Sequence, residues 1–176
     1  SATLRVHVSA DERYRFFVDG HEVGRGPERG SDQIWFYETY DLSLEAGEHV
    51  FTALVWRLGE IGPLAQISLA GGWLLQAEAP FDALLSTGSA AWECRPVPGL
   101  IFTRPGPHAA DGAWFVQPNQ TTDGALYPWG IEHGNGDGWT PVRWRDEYAG
   151  FAYGLQPIHR LQPATLPAQE AAPRAC

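Results

Sequence analysis

The chain has 176 residues, of which 44% are apolar and 19% are charged, a composition typical of a soluble globular protein. Its 12 basic and 21 acidic residues give a net charge of −9, which excludes nucleic acid and an anionic membrane surface as natural partners because both would repel it. No apolar run approaches the roughly 18 residues that a membrane span needs. The length predicts one domain, or one domain with a tail, and the compartment, cytoplasmic or secreted, stays open.

Three strands are predicted near the start of the chain. Residues 4–8 alternate between apolar and polar side chains, the pattern of a strand with one buried face. Residues 16–18 and 21–23 read as two strands joined by Asp19-Gly20, a dipeptide suited to the positive φ angles of a type I′ hairpin turn. Glycine and proline then predict a loop over residues 24–33.

The middle of the chain predicts further strands and one helical turn. Residues 34–40 form an aromatic-rich strand, and residues 50–56 are apolar on both faces, which indicates a central strand. Residues 65–69 and 73–77 flank a Gly-Gly pair and suggest a hairpin. Residues 80–85 are the best candidate for a short helical turn, since no window keeps a helical period over three turns.

The second half of the chain is rich in loops. Residues 90–95 predict a strand, with weaker candidates at 113–117 and 142–145, while residues 105–141 carry many Gly, Pro, Asp and Asn residues. These long loops would be ordered if their tryptophans pack inward, namely Trp114, Trp129 and Trp139. Short strands at intervals of roughly 8–12 residues predict an antiparallel β-sandwich or barrel with little helix.

The predicted organisation is a β domain over residues 1–150, followed by a linker or tail over 151–176. Proline and alanine dominate from Leu161 onward without a strand pattern. The chain has no methionine and begins almost directly inside a strand pattern, so we expect it to be a piece of a longer protein. Its two cysteines, Cys94 and Cys176, lie too far apart in sequence for a disulfide framework or a metal motif.

No catalytic constellation is recognisable. Acidic residues are abundant but fall in predicted turns or on solvent-facing strand positions, without the paired arrangement that glycoside hydrolysis needs. The six histidines show no metal-ligand spacing, so no cofactor is predicted. Residues 135–138 match only part of a calcium loop; calcium held by backbone oxygens is left open.

The eight tryptophans are the positive signal. Aromatic rings stack on the apolar faces of sugars, while charged and amide groups supply directional hydrogen bonds. Trp56, Trp73 and Trp92 lie on strand patterns and are assigned to the core. Aromatic and charged side chains near the predicted loops form a speculative carbohydrate-binding set: Arg25, Arg29, Trp35, Tyr37, Glu38, Trp129 and Trp139. The alternative is that the rings pack in the core and that the charged groups form a surface salt-bridge cluster.

The chain resembles the N-terminal, galactose-binding-like β-sandwich region of bacterial α-L-rhamnosidases. The likeness covers about two thirds of the sequence and is carried by the order of its elements. The pieces are residues 10–14, 18–24, 26–30, 35–42, 46–50, 54–56, 65–68 and 72–76, and then Trp92.

This resemblance implies a jelly-roll-type sandwich and a non-catalytic role. In such enzymes a separate barrel domain carries the catalytic acids, so we expect an accessory domain that packs on a downstream catalytic domain of the same chain and contacts rhamnose-containing glycans. The run from Leu161 to Pro167 resembles the crossing into the next domain. An independent carbohydrate-binding or lectin-like module, and a purely structural spacer, are the alternatives.

Overall fold

The computed structural model describes residues 2–31, 34–63, 66–68, 71–103, 119–143 and 160–166. These residues are mostly β-structure, with one turn of α-helix, α1 (Asp82–Leu85), and two 3-10 turns (Gly59–Ile61 and Ile131–His133). The strands are β1 (Ala2–Asp11), β2 (Arg13–Val18), β3 (His21–Gly26), β4 (Ile34–Leu44), β5 (Phe51–Trp56), β6 (Gly72–Ala77), β7 (Glu93–Cys94), β8 (Leu100–Thr103), β9 (Asn119–Thr122), β10 (Thr140–Pro141) and β11 (Arg160–Pro163).

Two main sheets carry the architecture. One has the strand order β11-β4-β1-β6 and the other the order β3-β2-β5, and two small ribbons pair β7 with β10 and β8 with β9. Every pairing is antiparallel except that of β11 with β4, which is parallel. The prediction of an all-β, sandwich-like domain with almost no helix is confirmed.

The core lies where the alternating faces of β1 and β2 meet. Val6 and Val8 of β1 are completely buried, as are Tyr14 and Phe16 of β2. Leu75 of β6 joins them in the same apolar cluster, so both main sheets contribute to it. Each such side chain stabilises the fold by about 1.5–3 kcal/mol through its removal from water.

The predicted hairpin turn is present. Asp19 and Gly20 have φ angles of 52° and 79°, as a type I′ turn requires. A side chain at Gly20 would be strained at this φ and would also overlap the ring of His133. The Asp19 carboxylate accepts a hydrogen bond from the amide of Val50 at 2.8 Å, which ties the turn to the start of β5.

The position of β5 corrects the sequence interpretation. It was predicted to be central, but it pairs only with β2 among the described strands and so ends its sheet. The 3-10 turn at Ile131–His133 lies against β5, where the hydroxyl of Thr52 donates to the carbonyl of Glu132 at 2.8 Å. No residue of β5 is fully buried, so its apolar pattern reflects partial cover by this turn rather than a place inside a sheet.

Two predicted boundaries also change. β3 continues to Gly26, three residues into the predicted loop, because it keeps pairing with β2 as far as Tyr14. The hairpin predicted before β6 is wrong where it can be compared, since residues 66–68 form no strand. The predicted strand at 113–117 and Trp114 lie outside the described residues.

Part of the predicted tail is attached to the sandwich. β11 runs alongside β4 from Arg160 to Pro163, and the amide of Ala164 donates to the carbonyl of Tyr37 at 2.9 Å. Its sequence has no strand alternation, because an edge strand can be held by its backbone alone. The division at residue 150 stays a prediction.

Glu12 lies at the bend between β1 and β2, but it is buried, unlike an ordinary acidic turn residue. Its side chain is only 1% exposed. The two carboxylate oxygens accept hydrogen bonds from the amides of Leu58 and Gly59 at 2.9 and 3.0 Å. Glu12 therefore fixes the chain just after β5. The sequence does not predict this role, because an acidic residue in a turn is ordinarily exposed.

Candidate functional site

A cavity of about 1200 Å³ lies along the free edge of β5. Consecutive residues 50–55 all contribute to its wall. Because neighbouring side chains of a strand point to opposite faces, such a run places the cavity beside the strand edge. The opposite wall includes residues 71–74 at the start of β6, which ends the other sheet among the described strands.

Four tryptophans line this cavity: Trp35, Trp73, Trp92 and Trp139. Trp73 and Trp92 meet edge to face, with ring centroids 4.9 Å apart and planes at 72°. Trp35 is 6% exposed and forms part of the core wall. We call the cavity that these four side chains line the tryptophan cavity.

The segment after α1 holds Trp92 in place. The hydroxyl of Ser86 accepts a hydrogen bond from the amide of Ala77 at 3.0 Å, and the amide of Thr87 donates to the carbonyl of Leu75 at 2.9 Å. These bonds fix the segment to β6. The indole N–H of Trp92 then donates to the carbonyl of Leu85 at 2.8 Å.

Trp139 is positioned by the ribbon of β7 and β10. Thr140 pairs with Cys94, and the amide of Val142 donates to the carbonyl of Trp92 at 3.0 Å. The guanidinium of Arg95 lies 5.8 Å from the centre of the Trp139 ring, within the range of a cation–π contact. A glycine-rich segment thus presents a partly buried aromatic ring to the cavity.

The indole N–H groups of the cavity divide into two kinds. Those of Trp35 and Trp92 donate to backbone carbonyls, of Ala10 at 2.9 Å and of Leu85 at 2.8 Å respectively. Those of Trp73 and Trp139 are shielded from solvent and have no acceptor among the described residues. A buried donor without an acceptor is costly, by about 1–3 kcal/mol.

The charged groups of the wall balance. Arg95 and Arg143 line the cavity together with Asp11 and Glu93. One carboxylate oxygen of Asp11 accepts a hydrogen bond from the amide of Gly71 at 3.1 Å, which ties the start of β6 to the end of β1. The wall therefore combines aromatic surface with two basic and two acidic side chains.

The structure brings together only two of the seven residues proposed from the sequence. Trp35 and Trp139 line the tryptophan cavity, whereas the other five are absent from its wall in the part of the chain that is described. Those five are Arg25, Arg29, Tyr37, Glu38 and Trp129.

Arg25 belongs to an ion-pair cluster on the β2–β3 pair. Its guanidinium contacts Glu22 at 2.9 Å, and Arg15 binds the other oxygen of the same carboxylate. Partial burial works against ionisation of Glu22, yet the hydrogen bonds and charges of Arg15 and Arg25 prevail and hold its pKa below the ordinary value. Both arginines are well exposed, so the pairs add little stability.

Glu38 and Arg29 lie around the loop that follows β3. Glu38 accepts a hydrogen bond from the amide of Glu28 at 3.1 Å. Burial, together with repulsion from the nearby Glu28 carboxylate, raises its pKa. Arg29 is exposed. The pKa of Arg13 is lowered mainly by the burial of Arg13 and, next, by the positive charge of Arg29.

Tyr37 and Trp129 pack against other aromatic side chains. Tyr37 is half-buried and meets the ring of His7 edge to face at 5.1 Å. Trp129 is 72% exposed and so does not meet the condition that the loop tryptophans pack inward. Its indole N–H donates to the carbonyl of Gly124 at 2.9 Å, and Tyr127 packs against its edge at 5.0 Å. Its own turn fixes the ring without burial.

No group of three or more His, Cys, Asp or Glu side chains among the described residues is placed to hold a metal ion. No helix in the described ranges is long and apolar enough to cross a membrane.

The comparisons with known proteins point to one enzyme class. No protein-family model and no curated protein matches the sequence. Among solved structures, the chain matches a crystal structure of a GH78 family rhamnosidase of Bacillus sp. GL1, with a TM-score of 0.70 and 26% identity. The chain is related to a rhamnosidase domain. The match covers 96% of this chain and 17% of the rhamnosidase chain, so it spans a small part of that enzyme.

Sequence reasoning missed most of the tryptophan cavity. Trp73 and Trp92 were assigned to the core; both are half-buried and pack against it, but they also line the cavity. No pattern in the sequence pointed to Arg95 or Arg143 as residues of a site. The pairing of indole N–H groups with carbonyls depends on tertiary contacts, so no pattern in the sequence could separate Trp73 from Trp92.

Proposed function

We propose that the chain is a non-catalytic accessory domain of an α-L-rhamnosidase-like glycoside hydrolase. The observation that carries this proposal is the rhamnosidase match, in which nearly all of this chain corresponds to 17% of a much longer enzyme. A domain of this size leaves the catalytic machinery to the rest of the parent chain. Its role is to pack on the catalytic barrel and to contact glycan substrate. We place it in the N-terminal region of the parent.

Three of the acidic groups are held by structural partners and not by a pairing with another carboxyl group. Glycoside hydrolysis needs two carboxyl groups about 5–10 Å apart on either side of a sugar. Glu12 is held by two backbone amides, Glu22 by two arginines, and Asp41 by a bidentate pair with Arg5 at 2.7 and 2.8 Å. These acids are committed to structural partners.

The test is hydrolysis of an aryl α-L-rhamnoside by the purified chain, with the parent enzyme as positive control. We expect no turnover above the buffer rate by the chain alone. In the parent, deleting this domain should lower thermal stability or activity on polymeric substrate. Turnover by the chain alone would overturn the non-catalytic assignment, and a parent unaffected by the deletion would overturn the accessory role.

The tryptophan cavity favours a second candidate, an independent carbohydrate-binding module. Aromatic walls with a few polar groups are typical of sugar sites, and this wall combines four tryptophans with four charged side chains. Titration calorimetry with L-rhamnose and rhamnose-containing oligosaccharides, with and without calcium, tests both the binding and the need for a cofactor. We expect binding that calcium does not change.

A further inference from the structure

The turn that follows β9 holds a large aromatic ring in open solvent. Trp129 is 72% exposed, and it is the one exposed tryptophan in the described part of the chain. Its ring packs on the edge of the half-buried Tyr127 at 5.0 Å, and Leu126, next in sequence, is 58% exposed. Single exposed apolar side chains are normal, whereas a group of them marks an interaction surface. We call residues 123–130 the aromatic turn.

Hydrogen bonds within the aromatic turn fix the ring. The indole N–H of Trp129 donates to the carbonyl of Gly124, and its backbone amide donates to the carbonyl of Tyr127, both at 2.9 Å. The amides of Leu126 and Tyr127 donate to the carbonyl of Asp123 at 3.1 and 2.9 Å. Because the indole has used its one polar group, a partner meets mainly its apolar surface.

Both ends of the aromatic turn are attached to the rest of the domain. At its start, the amide of Asp123 donates to the carbonyl of Gly99 at 2.8 Å, and a side chain at Gly99 would overlap the amide nitrogen of Tyr127. Just beyond its end, the hydroxyl of Thr52 in β5 donates to the carbonyl of Glu132 at 2.8 Å. A ring held in place before binding loses little conformational freedom when it binds, which favours association.

The charges near the ring define the chemistry of its partner. Residues 119–139 include three acids, Asp123, Glu132 and Asp137, and no arginine or lysine. None of the three has an ion-pair partner among the described residues. Interfaces bring opposite charges together, so the partner surface should carry basic side chains. A second copy of this chain is disfavoured, because it would bring the same acids together.

The rhamnosidase match indicates where this partner lies. Nearly all of this chain corresponds to 17% of that enzyme, so most of the enzyme lies outside it. Domains of one chain commonly meet over about 600–1,500 Å², and an accessory domain needs such a surface. Tryptophan and tyrosine are enriched in protein interfaces, and tryptophan is prominent among the residues that dominate binding. The aromatic turn has this composition.

We propose that the aromatic turn docks on the catalytic part of the parent enzyme, with Trp129 in an apolar pocket bordered by basic side chains. The proposal rests on the accessory role given above and adds the docking surface and the chemistry of its partner. It gives Trp129 a role other than the carbohydrate contact predicted from the sequence.

Hydroxyl-radical footprinting read by mass spectrometry compares the whole chain alone with the intact parent. Oxidation of Trp129 should be at least about fivefold slower in the parent, because docking removes the ring from water. Leu84, 77% exposed on α1, is the reference and should react equally in both. Equal oxidation of Trp129 in the two proteins would overturn the proposal. So would protection in the isolated chain that grows with its concentration, which indicates a second copy, or that appears with added L-rhamnose, which indicates a sugar.

Trp129→Ala separates docking from folding. In the chain alone its melting temperature should fall by less than about 2 °C, because the ring is exposed. In the parent, limited proteolysis should release this domain at least about tenfold faster, since a central interface tryptophan is lost. Leu84→Ala is the matched control and should release it at the wild-type rate. Release from Trp129→Ala no faster than from Leu84→Ala would contradict the proposal.

Asp123→Asn combined with Glu132→Gln tests the basic border. Both substitutions remove a charge and keep an oxygen acceptor, so residue 123 can still accept from the amide of Ala125. Release from the parent should be faster than in wild type at about 0.1 M salt, and this difference should disappear at about 1 M salt because exposed charges are then screened. No difference at the lower salt concentration would contradict a basic border.

Deletion of the domain from the parent distinguishes this proposal from the accessory role. If deletion impairs the parent while Trp129 stays equally reactive in both proteins, the accessory role stands and docking uses another surface. If deletion has no effect, both proposals are wrong.

Discussion

His49 makes hydrogen bonds that require both of its ring nitrogens to carry protons. Nδ1 lies 2.7 Å from the carboxylate of Asp19, and Nε2 lies 2.9 Å from the carbonyl of Glu45. Both partners are acceptors, so only the protonated ring, the imidazolium, can donate to both of them at once. The bond with Asp19 and the Glu45 carbonyl accordingly raise the pKa of His49, and the bonds from His49 and the Val50 amide lower that of Asp19.

This pair should make stability depend on pH at both ends of a window. The contribution of His49 is complete below its unfolded pKa of about 6.5 and is lost as pH rises through its raised folded value. The contribution of Asp19 is complete above its unfolded pKa of about 3.9 and is lost as pH falls through its lowered folded value. We expect the melting temperature of wild type to exceed that of His49→Gln most at about pH 5–6, and this difference to shrink by about pH 9.

Thermal melts of both proteins between pH 3 and pH 9 measure this difference. The range extends below the reference pKa of an aspartate and well above that of a histidine. A difference that stays constant over the whole range would show that the ring is neutral at the turn.

Glu12 carries a second prediction at the residue scale. Glu12→Ala leaves the amides of Leu58 and Gly59 without their acceptor in a buried position. Each hydrogen bond to a charged group contributes about 1.5–3 kcal/mol, so the free energy of unfolding should fall by about 3 kcal/mol or more. Urea denaturation measures it, with the exposed Glu48→Ala as control. A loss no larger than that of Glu48→Ala would contradict the role assigned to Glu12.

At the element scale, the strands that the sequence predicted are those with a local signal. β1 alternates, the turn after β2 carries Asp-Gly, and α1 falls inside the predicted helical turn. Besides the β3 boundary and the hairpin before β6, the errors concern β5 and β11, whose neighbours are distant in sequence. Contact with a distant loop, or a parallel pairing over more than 100 residues, leaves no trace in the local pattern. The same holds for the tryptophan cavity, which joins Trp35 to Trp139.

Glu28 fixes β11 at its end. Its carboxylate accepts hydrogen bonds from the hydroxyl of Thr165 at 2.8 Å and from the amides of Thr165 and Leu166 at 2.5 and 3.1 Å. The Thr165 hydroxyl, followed by the two amides, holds the pKa of Glu28 below its ordinary value. The segment after β11 is thus tied to the loop after β3.

We expect Glu28→Ala to loosen this end of β11 while leaving the core unchanged. Hydrogen exchange should accelerate at least tenfold for the amides of Thr165 and Leu166, because local opening is then no longer opposed. Val8, in the centre of β1, should keep its protection. Acidification through the pKa of Glu28 should accelerate exchange in wild type relative to Glu28→Ala, after correction for the intrinsic rate. Equal protection in the two proteins would refute the clamp.

At the scale of the whole molecule, the two main sheets share one apolar cluster. It unites β1, β4 and β6 from one sheet with β2 from the other. When a single core serves both layers, neither sheet has a buried face of its own on which to remain folded. The described part of the chain should therefore unfold in one cooperative step.

Phe16→Ala tests this cooperativity. Phe16 is fully buried and contacts the rings of Tyr40 and Phe51, at 5.8 and 6.4 Å. Truncation should cost about 3–5 kcal/mol, whereas Leu84→Ala, at a side chain 77% exposed, should cost less than about 0.5 kcal/mol. Far-ultraviolet dichroism, tryptophan fluorescence and near-ultraviolet dichroism should give coincident transitions in wild type, and all should shift together in Phe16→Ala.

The result bears directly on function. If the transitions coincide, the chain folds without the rest of a parent enzyme, and a lack of hydrolysis by it reflects missing catalytic groups rather than a collapsed fold. Separate transitions would mean that one sheet depends on contacts from beyond this chain. Calorimetry with sugar would then have to be performed on the parent, because the tryptophan cavity is walled by β5 of one sheet and β6 of the other.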